Sequence, residues 1–265
     1  MKDYSNCVIT GYGVCVPAGC DSPTYWNTIS NNKQVFTKKS LFGSTFADQV
    51  VAVIDDADVK HGLSKRQTKK LDRFTILAIA AARQALAMSH LPNDPKTLAH
   101  CGIMLGNNTG GWGFVEPQMG PLYAEGMDTI SPYVATAWFP TATQGEISIL
   151  FGLGGYSKTF SAENISAGFA FEHAISLLQE GVLNTCLVGG TEAPVTQLVY
   201  NACMSASLLS EEGEYRPYTN EAQGTVLGEG SALFVLETRD MANRRGAKVQ
   251  ASFEGIGKGS TLEIS

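Results

Sequence analysis

Ser161-Ala162-Glu163-Asn164-Ile165-Ser166-Ala167-Gly168 is the stretch on which the reading of this chain turns. A strand-like run, Tyr156 to Ser161, leads into it, and a long apolar-periodic segment from about Ile165 to Glu180 leaves it as a helix that stops at Gly181. A second strand, Thr185-Cys186-Leu187-Val188, follows and ends in Gly189-Gly190-Thr191-Glu192. That order places residue 164 at a helix N-terminus, where the helix dipole and unpaired backbone N–H groups would stabilise a thiolate. The residue there is an amide, which neither ionises nor attacks.

Outward from the turn the alternation continues. Strand signals at Cys7 to Thr10, Gly102 to Leu105, Ser231 to Leu236 and Val249 to Glu254 are interleaved with helical patterns, the mark of a layered α/β fold. Leu71, Phe74, Leu77, Ala78, Ala81 and Ala85 recur at helical spacing and make one apolar stripe, with Arg73 and Arg83 off its seam. Gly110-Gly111-Trp112-Gly113 and Pro117 to Pro121 read as connections between elements. Neither a long flexible linker nor an internal duplication divides the chain, so residues 1–265 are expected to form one domain.

The chain is 44% hydrophobic, ample for a buried core, and its net charge of −6 argues against a nucleic-acid footprint, which needs a basic stripe. Lys65-Arg66-Gln67-Thr68-Lys69-Lys70 is the densest basic run; it reads as a solvated face before a helix, with docking of an acidic carrier protein as the alternative use. No run approaches the ~18 apolar residues of a membrane span, and the N-terminus lacks a signal-peptide core, so a cytoplasmic location is expected. Six cysteines, Cys7, Cys15, Cys20, Cys101, Cys186 and Cys203, show no Cys-x-x-Cys pair and no histidine at zinc-finger spacing. They read as reduced thiols, Cys101 and Cys186 as buried ones, and neither a metal nor a cofactor is expected. His173, on the helix after Asn164, reads as a packed core histidine.

The residues around Asn164 resemble the N-terminal half of the β-ketoacyl synthases of the thiolase superfamily. Those enzymes place a cysteine in a small-residue turn, a serine two positions later, then a helix, a glycine, a hydrophobic strand and a Gly-Gly pair. Asn164, Ser166, Gly181 and Gly189-Gly190 keep that spacing, so Asn164 falls at the cysteine position. The resemblance extends through Val8-Ile9-Thr10-Gly11-Tyr12-Gly13, Leu71-Asp72-Arg73-Phe74, Arg216-Pro217-Tyr218, Gly228 to Glu237 and Arg245-Gly246-Ala247. It implies a thiolase-like fold, a mixed β-sheet with helices on both faces, and covers one N-terminal half of a five-layer subunit. The family's second half, with two catalytic histidines and an Asn-Ser-Phe-Gly segment, is expected to be absent from these residues; in the family it would cover the helix face of Ile165, Phe169, Leu177 and Leu178. Cys203 superficially mimics a nucleophile turn, but the family spacing leaves it without a catalytic role.

Within that superfamily the chain is more similar to the chain length factors, ketosynthase-like partner subunits of type II polyketide synthases. Those typically carry Glu-Gln where a ketosynthase has its residue-plus-cysteine, and Ala-Trp-Phe followed by Gly-Gln-Ile-Ser-Ile. Here stand Glu163-Asn164, Ala137-Trp138-Phe139 and Gly145-Glu146-Ile147-Ser148-Ile149, with Asn and Glu in place of the two glutamines. The resemblance implies a heterodimer with a β-ketoacyl synthase and contact with an acyl carrier protein through that ketosynthase. It also implies that the segment Ile130 to Thr143 reaches toward the partner's acyl tunnel. Val134, Ala135, Trp138 and Phe139 are then candidates for the tunnel floor or gate, with Thr109 a weaker one; Trp138 and Phe139 serve equally well as ordinary interface or core aromatics.

Claisen condensation needs a thiol to hold the growing acyl chain and a polar site for malonyl decarboxylation. With Asn164 at the nucleophile position no catalytic residue is expected, and Glu163 reads as an acceptor for neighbouring backbone or for a partner at a buried turn. The expected function is therefore a non-catalytic chain length factor that shapes the tunnel setting polyketide or polyene length. A malonyl-carrier-protein decarboxylase, in which the Asn164 amide polarises the carboxylate, and a purely stabilising scaffold are the alternatives.

Overall fold

Gly11 and Gly13 at the start of the chain are explained by what packs on them: a Cβ on Gly13 would stand 2.0 Å from the Ala81 carbonyl oxygen, so only glycine lets the long central helix lie against this strand. The computed structural model describes residues 6–43, 48–210, 213–257 and 259, so residues 1–5 and 260–265 of the expected 1–265 domain lie outside the described residues.

Strand β1 (Cys7–Cys15) opens the fold and is followed by α1 (Ser22–Ser30), capped by the Asp21 carboxylate. Two short strands, β2 (Thr37–Lys39) and β3 (Gln49–Ala52), pair antiparallel. The basic run forms α2 (Lys65–Thr68), a single turn closed by a capping box between Ser64 and Gln67. Next come α3 (Arg73–Ser89), α4 (Pro95–Leu98) and β4 (Cys101–Gly106). Helices α5 (Trp112–Glu125), α6 (Val134–Trp138) and α7 (Ala142–Phe151) precede β5 (Ser157–Phe160). Then follow α8 (Ser166–Gln179), β6 (Thr185–Glu192), α9 (Gln197–Ser205), β7 (Leu227–Gly228), β8 (Gly230–Thr238), α10 (Arg239–Arg244) and β9 (Ala251–Ser252).

The main sheet has the order β5-β4-β6-β8-β1-β9. Its β5, β4 and β6 run parallel, while β8 and β1 are antiparallel to their neighbours, so the sheet is mixed as expected. Strand alternation divides the core between two faces. Cys101, Ile103, Leu105 and Leu187 turn toward α3 and α7, whereas Met104, Cys186 and Val188 turn toward α8. The apolar stripe of α3 is buried with them, and each fully buried Phe, Leu or Ile contributes roughly 1.5–3 kcal/mol. This is the thiolase-like arrangement of one mixed sheet between helices.

Several local expectations are corrected. The strand expected over Val249 to Glu254 shortens to β9, which pairs only with Val8 and Ile9; β1 bulges just beyond, between Ile9 and Gly11, and the edge pairing stops there. Pro117 and Pro121 are not a connection but lie inside α5, spaced so that both missing N–H groups fall in one row of the helix. The helix expected from Ile165 begins at Ser166, after a 3-10 turn over Glu163–Ile165. Leu177 and Leu178 belong to the core beneath α8, and only Ile165 and Phe169 of the four named there are exposed.

Two ion pairs join motif pieces distant in sequence. Arg73 grips Glu229 with Nε 2.7 Å from Oε2 and Nη2 2.8 Å from Oε1, and the Ile54 backbone N–H donates to the same carboxylate. Glu237, fully buried, receives Arg245 through Nε at 2.8 Å and through Nη2, and also accepts the Thr10 hydroxyl.

Candidate functional site

The parallel strands β4, β5 and β6 end at the same edge of the sheet, and the turn from β5 into α8 sits over that edge. Gly106 ends β4 because a Cβ there would stand 2.3 Å from the Ala167 backbone nitrogen; the N-terminus of α8 thus rests directly on the strand. Four side-chain bonds hold the turn. Ser161 Oγ donates to the Asn107 carbonyl at 2.7 Å, and the Glu163 N–H donates to Asn108 Oδ1 at 3.3 Å. The Ala162 N–H donates to Ser166 Oγ at 2.8 Å, while that hydroxyl donates to the Glu163 carbonyl at 2.7 Å. Ser166, two positions after Asn164, is therefore the fastener of the turn.

Glu163 takes φ +52°, a left-handed conformation that costs a non-glycine residue on the order of 1 kcal/mol and persists where surrounding bonds fix it. At that reversal its side chain leaves toward solvent. Glu163 is thus exposed in this chain and not at a buried turn as expected. The acceptor is Glu192, at the end of β6. Its Oε2 accepts the N–H groups of Asn108 at 2.8 Å and Thr109 at 3.2 Å, and its Oε1 accepts Asn107 Nδ2 at 3.0 Å and Thr109 Oγ1 at 2.5 Å. In the sequence Glu192 shows only as the end of a strand, and no local signal marks it as this acceptor.

Asn164, exposed at the tip of the turn, lines a cavity of about 760 Å³ together with Glu163, Thr109, Ser166 and Glu192. Val199, Leu208, Leu209 and Leu227 supply apolar lining, and Cys203 of α9 lines the same space. The family spacing leaves Cys203 without a catalytic role, yet the fold brings it to the cavity wall.

The tunnel candidates do not converge on that cavity. Thr109 alone lines it, with its hydroxyl committed to Glu192. Ala135 and Phe139 line a separate open apolar depression of about 310 Å³ with Gly145 and Ile149. Val134 and Trp138 lie outside both linings; Trp138 packs edge-on to Trp112 at 6.4 Å and against Phe139 at 5.2 Å between ring centroids. Phe139 is 52% exposed and Trp138 39%, so both belong to the surface and not to the core. His173 packs against Tyr156 and Phe160 at 5.9 and 5.5 Å, a wedged aromatic neighbour as expected. Among the described residues no cluster of three or more His, Cys, Asp or Glu could hold a metal, and no helix is long and apolar enough to cross a membrane.

Asp72 ties two helices to this region: its carboxylate accepts the Phe74 N–H at 3.0 Å and the Phe114 N–H at 2.6 Å, joining the N-termini of α3 and α5. Burial raises its pKa from 3.8 to about 6, outweighing those two bonds, which act the other way. The unfolded chain releases this proton near pH 3.8 and the folded protein only near pH 6. The Asp72 contribution to stability therefore falls as pH rises through that window, by about 3 kcal/mol in all. Denaturant unfolding followed from pH 4 to 6 should show this fall, and Asp72→Asn should flatten it; an unchanged profile in the variant would refute the assignment.

A model of the β-ketoacyl synthase N-terminal domain matches residues 5–242. The chain belongs to the β-ketoacyl synthase family. This ketosynthase-family chain is 31% identical over 245 residues to the tetracenomycin polyketide synthase ketoacyl synthase beta subunit of Streptomyces glaucescens, covering 91% of its own length and 60% of that protein. It is 26% identical to the 3-oxoacyl-[acyl-carrier-protein] synthase 2 of Staphylococcus aureus, of which it covers 63%. The chain thus spans less than two thirds of the length of these relatives. Among solved structures, the complex of a type II polyketide synthase acyl-carrier protein with its hexaketide-bound ketosynthase, AntDE:AntF, matches with TM-score 0.77 and 31% identity, over 94% of this chain and 67% of that one. The ishigamide ketosynthase/chain length factor matches with TM-score 0.78 at 21% identity, covering 93% of this chain and 61% of that one, a likeness of fold.

Proposed function

We propose that this chain is a chain length factor: a non-catalytic ketosynthase-like subunit that pairs with a β-ketoacyl synthase of a type II polyketide synthase and shapes its acyl tunnel. One observation carries the reading. Asn164 occupies the tip of a turn whose strained backbone, serine fastener and helix N-terminus are those suited to a nucleophile, and an amide there forms no thioester. The likeness to a ketoacyl synthase beta subunit and to a ketosynthase held with its acyl-carrier protein supports the same pairing and the same carrier. On this reading Phe139 and Ala135, exposed around an apolar depression, meet the partner at its tunnel, with Trp138 packed against Phe139; Val134 and Thr109 are candidates for the same contact by family resemblance alone.

Asn164→Ala tests the reading in the reconstituted pair with its carrier protein. Replacing a covalent nucleophile costs on the order of 10⁴–10⁶ in turnover, whereas Asn164→Ala should leave product formation near the parent rate. A collapse of turnover would show that the amide takes part in chemistry. Carbon dioxide released from malonyl-carrier protein by this chain alone, and lost in Asn164→Ala, would favour the decarboxylase instead.

A further inference from the structure

Beside α3, β1 ends in Cys15 and the chain reverses through Val16-Pro17-Ala18-Gly19 to Cys20. Val16 and Gly19 exchange both backbone hydrogen bonds, N to O, at 3.1 and 2.8 Å. They are therefore a hydrogen-bonded pair across a two-residue turn, and the residues flanking them, Cys15 and Cys20, form the adjacent non-hydrogen-bonded position. In antiparallel geometry that position brings Cα atoms to about 4.5 Å with the side chains on one face. It falls inside the roughly 4.4–6.8 Å window of a disulfide.

The side chains confirm the juxtaposition. Both thiols lie in one apolar cluster with Ile54, Val59, Phe74 and Leu77, and each perturbs the ionisation of the other. Their access differs: Cys15 is fully buried, while Cys20 borders a cavity of about 260 Å³ edged by Asp21, Thr24, Asp55, Asp58 and Lys60. Cys101 and Cys186, also near each other in the sheet, make the contrast, because they point to opposite faces and cannot be joined.

We propose that Cys15 and Cys20 form a reversible disulfide across the Val16–Gly19 turn, a two-electron oxidation site for a small peroxide entering beside Cys20. With hydrogen peroxide, the Cys20 sulfur attacks one peroxide oxygen and the O–O bond breaks, giving a sulfenic acid on Cys20 and, after protonation, one water. The Cys15 sulfur then attacks the Cys20 sulfur; the S–O bond breaks, and the departing oxygen takes the Cys15 proton to leave as a second water. One peroxide is reduced, two thiols are oxidised, and an external thiol restores them. The order follows from access, because Cys20 borders the cavity and Cys15 is fully buried; the neighbouring thiol also holds Cys20 below its ordinary pKa, while that neighbour and burial raise Cys15.

Hydrogen peroxide is the probe, applied to the folded protein, with its ketosynthase partner if the two are purified together. Intact mass should fall by two hydrogens, alkylation after denaturation should find four thiols in place of the six, and non-reducing digestion should yield a linked Cys15–Cys20 peptide, all reversed by dithiothreitol. Cys15→Ser should trap a sulfenic acid on Cys20, captured by a cyclic diketone, and Cys20→Ser should abolish the mass loss. A serine variant that does not fold is replaced by the corresponding alanine. Retention of all six thiols, oxidation confined to Cys203, or a link between any other pair would overturn the proposal.

Discussion

Glu237→Ala should destabilise the protein by about 3–5 kcal/mol, the cost of breaking a buried ion pair from one side. Glu237 has no exposed surface, and its carboxylate is shared by the Arg245 guanidinium and the Thr10 hydroxyl, which come from opposite ends of the chain. The variant leaves Arg245, whose side chain is 13% exposed, without its carboxylate, and Thr10 without its acceptor. A domain of this kind is stable by only about 5–15 kcal/mol, so the variant should be poorly expressed or unfold at much lower urea. Replacing both partners, Glu237→Met with Arg245→Met, should recover most of the loss because no charge is then stranded. A Glu237→Ala midpoint within error of the parent would show that the pair contributes nothing.

Phe139→Ala in the reconstituted pair should lengthen the polyketide product by about one or two two-carbon units, each of which needs roughly 2.5 Å of extended chain. Phe139 ends α6 beside Ala135, and both border the apolar depression proposed to meet the partner. Truncating a ring that is already 52% exposed should cost well under the ~3–5 kcal/mol of a buried aromatic, so the fold should survive the test. Ala135→Phe should act in the opposite direction and shorten the product. If both variants changed only the yield, the chain would be a stabilising partner and not a ruler.

The turn at Asn164 was legible because the signals that build it are local: a strand, small residues, a serine two positions on, and an apolar helix closed before a glycine. The stripe on α3 was legible for the same reason, since it follows one element's periodicity, whereas helices on both faces of the sheet were implied by the family resemblance. What escaped depends on contacts between elements. Glu192 became the acceptor in place of Glu163 only because parallel pairing of β4 and β6 brings the loop of Asn107, Asn108 and Thr109 over it. Cys203 reached the cavity wall because α9 folds back across that edge, and the separation of Phe139 from Asn164 is a matter of helix placement that no spacing encodes. The helix through Pro117 and Pro121 defeats the usual punctuation of prolines because their four-residue spacing confines the damage to one row of hydrogen bonds.

The most direct measurement is the intact mass of both subunits after the reconstituted pair is loaded from acyl-carrier protein and quenched before turnover. Acyl mass is expected on the ketosynthase partner alone, with this chain at its unmodified mass and unchanged by Asn164→Ala. A stoichiometric acyl adduct on this chain, at Cys203 or at any other residue, would contradict a non-catalytic role.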